Sequence, residues 1–309
     1  MANGKSEKQL FIKTKLEKWS DFAQLNYHFV SKFVFRGQAN SEWKLKTSLE
    51  RLVESNHPFL FDKNLFSFYE QRMLKTFKWK YPLYESTYVP KEDENIEWLS
   101  IMQHYGAPTR MLDFTDSFYV AIFMAMKDCY NNSASIWCLN KNVYMFRHLQ
   151  ELAVKSQDTE NKGFWISSND MDSYIYDEAN RRMNGRIVVN DKPKVYILRP
   201  KHINKRINAQ QGLFAIPGVL SIPFEENLMT GVNNKEPIEV PFDNIIKHSF
   251  TKHGIYSQDE FSIIKIDVPS SLRVEIMKAL DQMNITEESL FPGLEGLARS
   301  LAAPFLDWA

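Results

Sequence analysis

The chain is 309 residues long, 44% hydrophobic and 25% charged, the balance of an ordinary globular protein, which excludes disordered and fibrous classes. Lysine plus arginine equals aspartate plus glutamate at 38 each, so no net field argues for a general nucleic-acid or membrane surface, although a local basic groove stays open. The two cysteines, Cys129 and Cys138, are too few for a disulfide framework and lack the paired spacing of a zinc site; both read as small buried hydrophobes, and no metal site is expected.

Residues 1–15 form a polar lead without the apolar core of a signal peptide, and no apolar run reaches the roughly 18 residues of a membrane span, so a cytoplasmic protein is expected. Leu16 to Phe33 carries apolar residues at helical spacings of three and four, with Ser20-Asp21 as a turn or cap just inside. Phe33-Val34-Phe35-Arg36-Gly37-Gln38 then switches to a strand. Thr47 to Leu52 reads as a turn feeding a capped helix, and Phe59 to Trp79 as an amphipathic helix. Glu92, Asp93, Glu94 and Glu97 stand at the dipole-favoured start of a helix through Trp98 to Tyr105.

The densest polar stretch follows, Gln103-His104-Tyr105-Gly106-Ala107-Pro108-Thr109-Arg110-Met111-Leu112-Asp113-Phe114-Thr115-Asp116-Ser117. Gly106 permits a positive φ and Pro108 pushes Ala107 out of the helical region, so the chain turns here. Arg110 and Asp113 flank an apolar pair as a loop-closing ion pair. Thr115, Asp116 and Ser117 are N-cap types ahead of the apolar helix Phe118 to Met126, a place where an anion can bind. A structural ion pair remains the bland reading of Arg110 and Asp113, and a packing histidine that of His104.

Ala134 to Leu139 is a buried strand, Val143 to Leu152 a helix, and residues 156–190 a polar, Asn-rich and mobile insert. Pro193 to Pro200 is a strand, and Arg206 to Ile216 a polar turn with Gln210 and Gln211 ahead of a second strand. Val219 to Asn244 is irregular. Phe261 to Val268 is another strand, Ser270 or Ser271 caps a helix over Leu272 to Met283, and Leu290 to Ala298 adds a short helix. The expected fold is one elaborate α+β domain, a central mixed or mostly antiparallel sheet flanked by helices.

Three clusters together resemble the FRG domain family, named for its Phe-Arg-Gly motif. They are Phe35-Arg36-Gly37-Gln38, the stretch from Gln103 to Thr115, and Arg206-Ile207-Asn208-Ala209-Gln210-Gln211-Gly212-Leu213-Phe214. The closing Leu290-Phe291-Pro292-Gly293-Leu294-Glu295-Gly296-Leu297-Ala298 is similar to that family's C-terminal signature. The resemblance spans roughly residues 16–305, with Ala107, Met111 and Phe114 standing where Leu, Leu and Trp are common. It implies a bacterial protein of phage-defence or toxin-like systems.

A weaker similarity to Arg-Ser-Glu ADP-ribosyltransferases implies an enzyme that consumes NAD. In that reading Arg36 holds an NAD phosphate or ribose, Thr115 or Ser117 braces the nicotinamide pocket, and Gln210 or Gln211 sits near the usual catalytic glutamate. An amide supplies no full negative charge, so Asp113, Glu225 and Glu226 are the carboxylates open to replace it. The candidate catalytic residues are Asp113, His104 and Gln211. The candidate binding residues are Arg36, Gly37, Gln38, Tyr105, Thr109, Arg110, Thr115, Ser117 and Gln210. Expected partners are NAD or a related nucleotide, with a protein or nucleic-acid acceptor and no membrane. The competing expectations are a nucleotide- or nucleic-acid-sensing module without chemistry, using arginine for phosphate and aromatics for stacking, and a purely structural network.

Overall fold

The computed structural model describes residues 10–24, 27–57, 63–85, 87–145, 168–184, 192–245 and 261–301. Its centre is an eight-stranded mixed sheet. The strands are β1 (Leu10–Lys15), β2 (Phe33–Gln38), β3 (Leu112–Thr115), β4 (Ala134–Asn140), β5 (Val195–Leu198), β6 (Gly212–Pro217), β7 (Ile238–Glu239) and β8 (Phe261–Val268), in the order β5-β6-β3-β2-β4-β8-β1-β7. β1 runs parallel to β7 and β8, and the other pairs are antiparallel. The α+β expectation holds.

Alternation along each strand divides the core. On one face Phe33, Phe35, Ile136, Cys138, Ile264 and Ile266 meet the apolar helix α5 (Phe118–Met126) and the helix Arg273–Gln282. On the other face Val34, Leu112, Phe114, Trp137, Leu139 and Ile263 meet Phe224 and Leu228 of a short helix, Phe224–Met229. A third cluster extends the first face beneath β5 and β6, where α4 (Asn95–His104) and the helix Ser168–Asn184 cover Tyr196, Phe214 and Ile216.

Several expectations needed correction. The supposed helix from Leu16 to Phe33 is a 3-10 turn at Trp19–Gln24 and a short helix, α1, at Tyr27–Lys32. The polar lead contributes β1, buried beside β8 because Leu10, Phe11 and Ile12 outweigh the lysines around them. Within the supposed mobile insert, Ser168–Asn184 is a helix that buries Met171, Ile175, Tyr176 and Ala179, an i, i+4, i+8 stripe hidden by polar neighbours. Residues 156–167 and 185–190 of that insert, and most of the helix expected after Val143, lie outside the described residues. Ser270 and Ser271 lie in a 3-10 turn and do not cap the following helix, whose N-cap is Leu272.

The capped helix expected after Thr47 and the helix expected up to Trp79 are both present. α2 (Ser48–Asn56) carries a full capping box between Thr47 and Glu50. α3 spans Lys63–Lys80. Both cysteines are buried and free. Among the described residues no helix is long and apolar enough to cross a membrane, and no group of three or more His, Cys, Asp and Glu is placed to hold a metal ion.

Candidate functional site

α4 ends in a Schellman turn. Gly106, at φ 83°, donates to the carbonyl of Gln103, and Ala107 donates to that of Met102. The reversal sends the chain through Thr109 into β3 and leaves Gln103 beside the strand it precedes. Thr109 locks this arrangement. Its amide donates to the Ser48 hydroxyl oxygen at 2.9 Å, its carbonyl accepts from the Leu49 amide at 3.1 Å, and its hydroxyl donates to the Gln103 side-chain oxygen.

Gln103 passes the order on. Its amide donates to an Asp113 carboxylate oxygen at 2.6 Å. Asp113 is the single exposed residue of β3, standing between buried Leu112 and Phe114 and therefore on the same sheet face as Phe35 and α5. From the other side of the strand Arg36 Nη1 donates to the Asp113 carbonyl at 2.7 Å. That reach is open because β2 and β3 are registered only at Phe35–Thr115. Arg36 Nε is buried without an acceptor. Burial pushes the Arg36 pKa down from its ordinary value; the Asp113 carboxylate opposes that shift and the nearby Arg51 adds to it.

A second set of residues adjoins the first across β3. Thr115 shares the face of Asp113, and its hydroxyl donates to the Gln210 carbonyl at 2.7 Å while accepting from the Ser117 amide. Gln210 spends its side-chain amide on the Leu290 carbonyl at 3.0 Å. Gln211 is held at φ 48°, a left-handed conformation rare outside glycine, and its carbonyl accepts from Asp116. Its side chain is exposed. His104 is half-buried, and desolvation, with help from the Arg206 charge, lowers its pKa against the opposing pull of Glu295. The imidazole is thus biased to its neutral form.

Arg36, Thr109 and Asp113 therefore form one connected group, joined by Gln103, which the residue-by-residue reading did not select, while Thr115 and Gln210 form a second pair two positions along β3 and His104 lies within electrostatic range of Arg206. The hydrogen bonds of Gln103 to both Thr109 and Asp113 are tertiary and carry no local sequence signal. The other candidates go elsewhere. Arg110 does not pair with Asp113. It makes a two-pronged salt bridge with Glu70 of α3, the side chains 12% and 7% exposed. Gly37 lies under α5, where a Cβ would fall 2.0 Å from the Ala121 carbonyl oxygen. Gln38 is buried between the Trp137 indole N–H and the Lys44 carbonyl. Ser117 caps α5 by accepting from Val120. Tyr105, 67% exposed, faces an aromatic groove of about 860 Å³ bounded by α3 residues including Phe68, Met73 and Phe77. Of the spare carboxylates, Glu225 accepts from the Leu45 amide, and it and Glu226 follow Phe224, which packs on the opposite face of the sheet from Asp113.

Residues 31–134 match the FRG domain family, so the chain carries an FRG domain. The matched segment holds Phe35-Arg36-Gly37 and the whole stretch from Gln103 to Ser117, and it ends before the Arg206–Phe214 cluster. No curated protein and no solved structure matches the chain.

Proposed function

We propose that the FRG domain of this chain is an NAD-consuming enzyme with Asp113 as its essential carboxylate, acting as an effector in bacterial phage defence or a similar conflict. The observation that carries the reading is the setting of Asp113. It is an exposed carboxylate on an otherwise buried strand, oriented by the Gln103 amide, with the Arg36 guanidinium bonded to its own backbone carbonyl. It can take the part that the late-motif amides Gln210 and Gln211 cannot.

The chemistry assigned to it is cleavage of the bond between the nicotinamide nitrogen and ribose C1′. The bonding pair leaves with nicotinamide and neutralises its ring, and positive charge develops on the ribose. A fixed carboxylate opposite that charge is stronger in the transition state than in the ground state. Water, or an acceptor hydroxyl, then bonds to C1′ and loses a proton to the Asp113 carboxylate. The products are nicotinamide and either ADP-ribose or an ADP-ribosylated acceptor.

The test is nicotinamide release from NAD by the purified protein, with and without crude cell extract as acceptor. Release by wild type, lost at least about 100-fold in Asp113→Asn and retained in folded Arg110→Met/Glu70→Met, is the expected outcome. A second reading, a nucleotide sensor without chemistry, is favoured by the exposed amide of Gln211. It gains if release is absent under both conditions while nucleotides still raise the melting temperature.

A further inference from the structure

Resting on the NAD reading above, we infer that Arg206 is the residue that grips the substrate's diphosphate. Arg206 belongs to the short helix Lys205–Ala209 that precedes Gln210. Its guanidinium lies over the Phe291 ring, 4.8 Å from the centroid, which holds the planar group in one orientation at small entropic cost. Two other cations share that ring, Lys127 at 5.3 Å and Arg299 at 5.1 Å. Each of those has its own carboxylate, Glu287 at 3.2 Å for Lys127 and Glu295 at 2.6 Å for Arg299. Arg206 has none: among the described residues its side chain makes no hydrogen bond and no salt bridge.

With no protein acceptor, the guanidinium of this partly exposed residue keeps its five donors available to an anion. Its surroundings say which anion. Gln210, four residues along, receives the Thr115 hydroxyl on its carbonyl, and Thr115 lies two positions from Asp113 on the same face of β3, roughly 7 Å along the strand. Arg206 is also near enough to His104 to oppose its protonation. The unpaired cation and the proposed catalytic carboxylate are thus linked through Gln210 and Thr115. Arg110 is committed to Glu70, and Arg36 has its Nε buried and one arm on a backbone carbonyl. Arg206 is left with a complete fork for two phosphate oxygens.

Calorimetric titration with ADP-ribose, ADP and adenosine tests this in wild type, Arg206→Gln, Arg206→Lys and Asp113→Asn, each first shown to melt cooperatively. The expected result is that wild type and Asp113→Asn bind ADP-ribose alike and adenosine far more weakly. Arg206→Gln should lose about tenfold or more of ADP-ribose affinity without changing that for adenosine, and Arg206→Lys should recover part of it. Unchanged ADP-ribose affinity in Arg206→Gln overturns the role of Arg206 while leaving NAD chemistry standing. If wild type binds neither ADP-ribose nor ADP, both the anchor and the NAD reading fall.

Discussion

Arg110 shows how a motif residue can be chemically capable and still be committed to the fold. Its fork meets the Glu70 carboxylate at two points in a nearly buried setting. Removing one partner leaves the other charged and poorly solvated, so Arg110→Met or Glu70→Met alone should cost about 3 kcal/mol or more. The double Met variant should regain most of that, because the cost of breaking such a pair lies mainly in the orphaned charge. Urea unfolding with an unchanged slope and a shifted midpoint measures both. Equal destabilisation by the double and the single variants would mean that the pair itself, and not an unpaired charge, holds α3 to this turn. The pairing was hidden from the sequence because its partner lies 40 residues upstream, whereas the nearer acid, Asp113, offered a local but incorrect match. The site around Asp113 was partly legible: Arg36, Asp113, Thr115 and Gln210 were singled out by residue type and position, while Thr109 came with the family resemblance. What could not be read was which of them touch. Gln103 and Arg206 emerge only when α4 and the Phe291 ring are brought against β3.

At the scale of elements, the packing of α5 on β2 explains the glycine of the Phe-Arg-Gly motif. Gly37 faces α5, and an added methyl would lie 2.0 Å from the Ala121 oxygen and 2.6 Å from the Ala125 nitrogen. Both atoms are backbone, so α5 itself has to move. Gly37→Ala should therefore lower stability by about 3 kcal/mol or prevent soluble folding, and adding Ala125→Gly should not rescue it. A melting temperature equal to wild type, combined with lost nucleotide binding, would instead mean that the glycine makes room for a ligand. Strands were the most legible elements, because apolar runs such as Phe33–Phe35, Ala134–Leu139 and Phe261–Val268 are too short for helices and are bounded by polar or proline residues. The helix Ser168–Asn184 was not legible, since among the described residues its four buried apolar side chains are outnumbered by polar ones and only the neighbouring α4 and β5 reveal which face matters. β1 was missed for a related reason: in Leu10–Lys15 the lysines masked a strand whose pairing depends on β8, some 250 residues away.

The whole molecule sets the limit on what the matched segment can do alone. Residues 31–134 contain β2, α2, α3, α4, β3 and α5. They stop where β4 begins, and β4 is the strand that pairs with β2 along its full length, from Phe33–Asn140 to Gln38–Ser135. β3 is likewise paired along its length with β6 and touches β2 in register at one position only. Within 31–134 the sheet thus reduces to a single registered pair, and Phe35 and α5 lose the cover of Ile264, Ile266, Ile276 and Leu280. A sheet of that size cannot stand in water. Expressed alone, 31–134 should show no cooperative thermal transition and poorly dispersed amide resonances, while a chain spanning 10–301 should melt in one step. A folded 31–134 would place the stabilising contacts of β2 and β3 within the helices α2 to α5 and remove the dependence on the later strands. The same topology links the candidate site to the whole chain: Asp113 and Arg36 come from the matched segment, but Gln210 and Arg206 are delivered by the approach to β6 and are steadied by the Leu290 carbonyl and the Phe291 ring, respectively. The patch can be complete only when the sheet is.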